Sequence, residues 1–196
     1  VSKVGAKKVN VKTARTIMAA SLAVVAIVIG AIALFGGSDS EESVAKAPDS
    51  GEVTLTESEL LAAVSKLGQP VYWTGPKSPT FTYELTKTPD GRIYVRYLLP
   101  HVEAGDPRPD FITVGTYPVG DAKRSLKVAS HETRENFAGE KLTLSQHPTY
   151  EVLSSKQAAS AYVVLDREPE LQIEVFSPNP GEADLLARSG SVRLVE

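Results

Sequence analysis

Apolar positions follow three patterns along this chain: one unbroken run, one helical stripe, and a series of period-two alternations. The run is Thr16–Phe35 (TIMAASLAVVAIVIGAIALF), which contains no charged residue. At about 1.5 Å rise per residue, such a stretch makes a helix of roughly 30 Å, the thickness of a bilayer's hydrocarbon core. Only a helix or a closed barrel satisfies its own backbone hydrogen bonds there. The helical stripe comes next. Thr56-x-x-Glu59 forms a capping-box pattern, Leu60, Leu61, Val64 and Leu67 follow at helical spacing, and Gly68 with Pro70 supplies the stop.

The alternations predict strands. Val71–Trp73 reads as a short strand before the Gly75-Pro76 turn. Phe81, Tyr83 and Leu85 alternate with Thr82, Glu84 and Thr86. After Pro89-Asp90-Gly91, Ile93, Val95 and Tyr97 alternate with Arg92, Tyr94 and Arg96. Period two on both sides of a turn tripeptide predicts a hairpin. Residues 101–110 read as a loop and Phe111–Tyr117 as a strand, with Asp121 capping a helix to about Ala129. Lys141–Ser145 and Tyr150–Leu153 read as strands. Ala161–Leu165 and Leu171–Phe176 form a pair joined by the turn Asp166–Glu170. Glu182–Arg188 is a short helix ended by Gly190, and Val192–Val195 a closing strand. The fold class these elements predict is α+β: one transmembrane helix, then an exported domain of antiparallel hairpins with about three packed helices. FITVGTYPVGDAKRSL and QIEVFSPNPGEADLLA also echo each other, aligning Val114 with Val175 and Gly120 with Gly181. That raises the question of a duplicated β-β-α unit.

Charge orients these pieces. Lys3, Lys7, Lys8, Lys12 and Arg15 precede the run with no acid among them; the other 16 Lys and Arg face 24 Asp and Glu, a net of −8. By the positive-inside rule, the stub at 1–15 is cytoplasmic and the C-terminal mass extracytoplasmic. The run exceeds a typical cleavable signal, so retention as a single-pass signal-anchor is the expectation despite the Ala31-x-Ala33 pattern. Residues 36–52 are Gly-, Ser- and acid-rich and predict a flexible linker, leaving 53–196 as one domain. Within the run, Ala19, Ala23, Ala26, Gly30, Ala33 and Gly37 fall on one helical stripe, a candidate surface for homo-oligomerisation in the bilayer. An acidic exported domain does not suit nucleic acid.

The residue inventory narrows the chemistry. Cysteine is absent, which rules out thiol catalysis, thiolate metal sites and disulfide staples. No G-x-S-x-G, G-x-G-x-x-G or Walker-type loop occurs, and His101, His131 and His147 lack the spacing of a metal pair. They read as surface loop residues. Glu103, Asp106 and Asp110 lack calcium-loop spacing and read as a solvated turn. No catalytic, cofactor or metal residue is assigned, and the chain reads as a non-enzyme. Six aromatics remain (Tyr72, Trp73, Tyr83, Tyr94, Tyr97 and Tyr117), of which alternation sends about half to the core. Arg92, Tyr94 and Arg96 share the strand face opposite Ile93, Val95 and Tyr97, making them the candidate ligand-facing row.

Three segments, LGQPVYWTGP, YELTKTPDGRIYVRYL and GDPRPDFITVGTYP, with the ending LQIEVFSPNPGEADLLARSGSVRLV, resemble uncharacterised single-pass membrane proteins of actinobacteria. The resemblance implies a place in the cell envelope and no known activity. The expectation is a membrane-anchored binding or scaffolding module, its partners the lipid bilayer and an envelope protein or wall polymer. The alternative is an anchored envelope hydrolase using paired carboxylates, which predicts a cleft with two facing acids and one raised pKa.

Overall fold

The computed structural model describes residues 53–131 and 142–196. These build an α+β fold of three helices and two antiparallel sheets. The apolar run, its small-residue stripe and the linker lie outside the described residues. Among those described, no helix is long and apolar enough to cross a membrane.

Helix α1 (Glu57–Val64) begins as its sequence predicts. The Thr56 side chain accepts from the Glu59 N–H, and the Glu59 carboxylate accepts from the Thr56 N–H at 2.8 Å. The helix stops one turn earlier than the apolar spacing suggests. Lys66 N–H bonds to Ala63 and Leu67 N–H to Val64, tightening the chain before Gly68, whose φ of 65° suits glycine. Leu60 and Val64 are the buried positions of this helix.

The large sheet contains β2 (Thr82–Lys87), β3 (Ile93–Leu98), β4 (Thr113–Pro118), β5 (Thr143–Gln146), β6 (Tyr150–Ser154), β7 (Ser160–Leu165) and β8 (Leu171–Phe176), in the order β2-β3-β4-β8-β7-β6-β5. Two meanders, β2–β4 and β5–β8, therefore meet along one seam, where Val114 pairs with Val175 and Thr116 with Ile173. A second small sheet pairs β1 (Tyr72–Trp73) with β9 (Arg193–Leu194). The strand predicted from Phe111 begins two residues later. Phe111 instead lies buried beneath the Arg96 guanidinium, 4.8 Å from its carbon to the ring centre.

The sheet has two distinct faces. One carries Tyr83, Val95, Tyr97, Val114, Val163, Ile173 and Val175, which join Leu60, Trp73, Ala183, Ala187 and Val192 in the main core. Helix α3 (Glu182–Arg188) covers part of this side, and its Arg188 reaches Ser154 at 3.0 Å. Within this core Trp73, Tyr83 and Tyr97 pack edge to face, and Tyr97 donates to the Gly75 carbonyl while accepting from Thr74 N–H. Burial pushes the Tyr97 hydroxyl up to about 12. Helix α2 (Ala122–His131) packs against β5, β6 and β7, and its buried Ala122 and Leu126 stand outside the main core. So do Leu153 and Val164, which alternate away from it, so α2 belongs to the opposite face. Asp121 caps α2 by accepting from Arg124 N–H at 3.0 Å.

The internal echo is thus symmetric in its strands and not in its helices. Val114 and Val175, aligned by sequence, are also sheet partners, yet the following helices pack on opposite faces.

Candidate functional site

Arg92, Tyr94 and Arg96 do fall on the face opposite the core, but their side chains are half-buried and largely engaged. Arg96 bonds Glu84 at 2.8 Å and the carbonyls of Asp106 and Arg108 at 2.7 and 3.1 Å. Glu84 in turn accepts from Gly105 N–H at 3.1 Å. This pair pins the 99–110 loop to β2 and β3. Arg92 pairs with Asp90 at 2.7 Å in the hairpin turn. Tyr94 meets the Tyr117 ring edge-on, with centroids 5.7 Å apart. Of the row, Tyr94 leads to the feature that stands out chemically.

That feature is a tract of hydroxyl and carboxyl groups at the middle of the sheet. Glu174 on β8 faces Gly115 on one side and Tyr162 on the other in the pairing register. Its Oε2 accepts from the Tyr117 hydroxyl at 2.6 Å and its Oε1 from the Ser160 hydroxyl at 2.7 Å. Gly115 is what lets Tyr117 reach. A Cβ at that position would come within 2.6 Å of the Tyr117 hydroxyl oxygen, so the ring lies across a bare stretch of backbone. Burial first, then the charge of Glu174, pushes the Tyr117 hydroxyl far above the ordinary phenol range. The same two causes act on Tyr162. Both remain protonated donors at neutral pH.

Two polar side chains here are deeply buried. The Tyr162 hydroxyl lies against Ser160 and Glu174, and Gln172 Oε1 has no hydrogen-bond donor. Tyr162 is 5 % exposed and Gln172 3 % exposed. An unmet acceptor of this kind is rare, because it retains its desolvation penalty, about 1–3 kcal/mol. Glu174, Tyr117 and Tyr94 are half-buried.

A separate cleft of about 500 Å³ lies on the core side, lined by Tyr150, Val163, Leu165, Ala187 and Val192 among others. Two of its polar groups are committed: Tyr150 donates to the Arg188 carbonyl at 3.0 Å, and Asp166 pairs with Lys123 at 2.5 Å. Among the described residues no group of three metal-binding side chains gathers. His101 is an exposed loop residue as expected, with a φ of 68°. His131 is exposed but ends α2 rather than lying in a loop, and His147 lies in the β5–β6 turn, half-buried and stacked on Tyr150 at 4.3 Å. Asp106 is fixed by Arg108 at 2.7 Å, whose donors hold its carboxyl down at about 2.

Four of the six aromatics, Tyr72, Trp73, Tyr83 and Tyr97, face the core, and Tyr94 and Tyr117 do not. Sequence reasoning passed over Ser160, Tyr162, Gln172 and Glu174. The signal was present: Gln172 and Glu174 alternate with Ile173 and Val175, which sends both to the face away from the core. Comparison of the chain with protein-family models, curated proteins and solved structures finds no match.

Proposed function

We propose that this chain is a membrane-anchored, extracytoplasmic binding or scaffolding module of the cell envelope, of the actinobacterial kind its sequence resembles. The observation that carries the reading is the uncharged run Thr16–Phe35 behind five cations, which as a helix spans a bilayer with its N-terminus inside. The domain's chemistry favours binding over hydrolysis. A general acid needs a carboxyl group held high. Among the described residues, the carboxyl groups drawn off their ordinary values, Glu59, Asp90, Asp106 and Glu182, are all drawn downward by hydroxyl, amide or guanidinium donors. Glu174 has both oxygens occupied by hydroxyls of its own chain.

The test is protease treatment of intact spheroplasts expressing the full chain with a different tag at each end. The C-terminal tag is expected to be digested and the N-terminal tag protected, with both in the membrane fraction. A chain found in the soluble fraction, or protected at its C-terminus, overturns the reading.

A further inference from the structure

The two edges of the large sheet differ. On the β2 side, Leu55 exchanges two backbone hydrogen bonds with Tyr83, each 2.8 Å, so a length of chain covers that edge. On the β5 side, nothing among the described residues pairs with the outer rim. The outward groups can be named. His147 N–H bonds the Tyr150 carbonyl at 2.9 Å, and an antiparallel ladder alternates, so the N–H and C=O of Gln146 and Leu144 point away from β6. An open edge is a template for another strand, and folds ordinarily guard it with charge, proline or a bulge. Thr143–Gln146 holds no charge and no proline, and its register with β6 runs without a break. Its one guard is brevity, at four residues.

We infer that β5 pairs antiparallel with β5 of a second copy of this chain about a twofold axis at Leu144, joining two seven-stranded sheets into one. A twofold normal to the sheet keeps each face continuous, so paired residues must share a face. Leu144 then meets Leu144 of the second copy, Thr143 meets Ser145, and Leu142 meets Gln146. The Leu144 and Leu142–Gln146 matches use the backbone groups that β6 leaves free. No charge stands opposite a like charge, and the half-buried Leu144 gains apolar cover at the axis. The strand is its own complement. So short a pairing is weak in dilute solution, at a net of about 1 kcal/mol per hydrogen bond. Anchoring both copies in one bilayer raises their effective concentration. The inference thus deepens the scaffolding reading and rests on it.

The absence of cysteine makes the register testable. Full chains carrying Thr143→Cys or Ser145→Cys, with distinguishable tags, are reconstituted together in liposomes and oxidised with copper phenanthroline. In this register Thr143 and Ser145 are non-hydrogen-bonded partners, about 4.5 Å apart at Cα and within disulfide reach. Two copies of either residue stand about 7–8 Å apart on the diagonal. The expected result is a mixed disulfide exceeding each self-linked dimer about fivefold, where chance collision of equal amounts gives about twofold. Leu144→Cys, on the axis, is expected to link to itself, so the register does not depend on Ser145, which Arg188 also bonds. A mixed dimer at the chance ratio overturns the proposal, as does equal self-linking at Thr143→Cys, Leu144→Cys and Ser145→Cys. A chain that stays monomeric in liposomes overturns it too, while the binding-module reading stands. Failure of that reading shows instead in the spheroplast experiment.

Discussion

Arg96 and Glu84 face each other across β2 and β3 at 2.8 Å, and the pair holds a loop that neither strand contains. Glu84 is 7 % exposed, so a lone carboxylate there lacks both water and a counter-charge. Arg96→Met is therefore expected to destabilise the domain by about 3 kcal/mol, more than a surface pair contributes. The double variant Arg96→Met/Glu84→Leu is expected to recover a substantial part of that loss. Urea unfolding of the four proteins in a double-mutant cycle measures both. If the single variant loses under 1 kcal/mol, the pair is not what fixes the loop.

Gly115 and Tyr117 are coupled by space. Gly115→Ala must displace the Tyr117 ring and with it the bond to Glu174. The expected loss is about 1–3 kcal/mol in the wild type. In a Tyr117→Ala background the same substitution is expected to be close to neutral. Equal losses in the two backgrounds refute the coupling.

Gly181 and Gly120 separate strain from collision. Both hold positive φ, 80° and 75°, yet a Cβ on Gly181 would meet the Lys156 carbonyl oxygen at 2.6 Å while one on Gly120 meets nothing within 4 Å. Gly120→Ala is expected to lose about 1 kcal/mol, from conformation alone. Gly181→Ala is expected to lose clearly more, since backbone has to move. Unfolding midpoints of the two variants rank them.

Glu182 opens α3 and accepts from the Ser177 hydroxyl at 2.5 Å and the Asn179 amide at 2.9 Å. The Ser177 bond is the main cause holding its carboxyl below the ordinary 4.5, with the Asn179 bond adding to it. A depressed folded pKa stabilises at pH values above the unfolded value and loses that contribution as pH falls through the folded one. Glu182→Gln is thus expected to lower stability at pH 7 and to matter progressively less on acidification from about pH 5 downward. A stability gap that stays constant from pH 7 to pH 3 contradicts the assignment.

Much of the framework was readable because local chemistry decides it. The Thr56–Glu59 box, the Pro89–Gly91 hairpin turn and the Asp121 cap each involve residues within a few positions of one another. Period two likewise assigned Tyr94 and Tyr97 to opposite faces. The early end of α1 was missed, since Leu67 continues the apolar stripe while the backbone has already tightened. The Glu174 tract was not legible for another reason. Tyr117, Ser160 and Glu174 come from three strands, and only the β4–β8 seam brings the first meander to the second. Periodicity names the face of each strand but not its neighbour.

That seam also makes the molecule divisible. Each meander is built from pairings between successive strands, whereas β4–β8 and β1–β9 join distant parts of the chain. Local pairings close short loops and form early; these two wait for nearly the whole sequence. A chain cut after His131 therefore yields two pieces with complementary unpaired edges, β4 on one and β8 on the other. Mixed together, they have the means to find each other and restore the single sheet, and with it the Glu174 tract that neither piece holds alone.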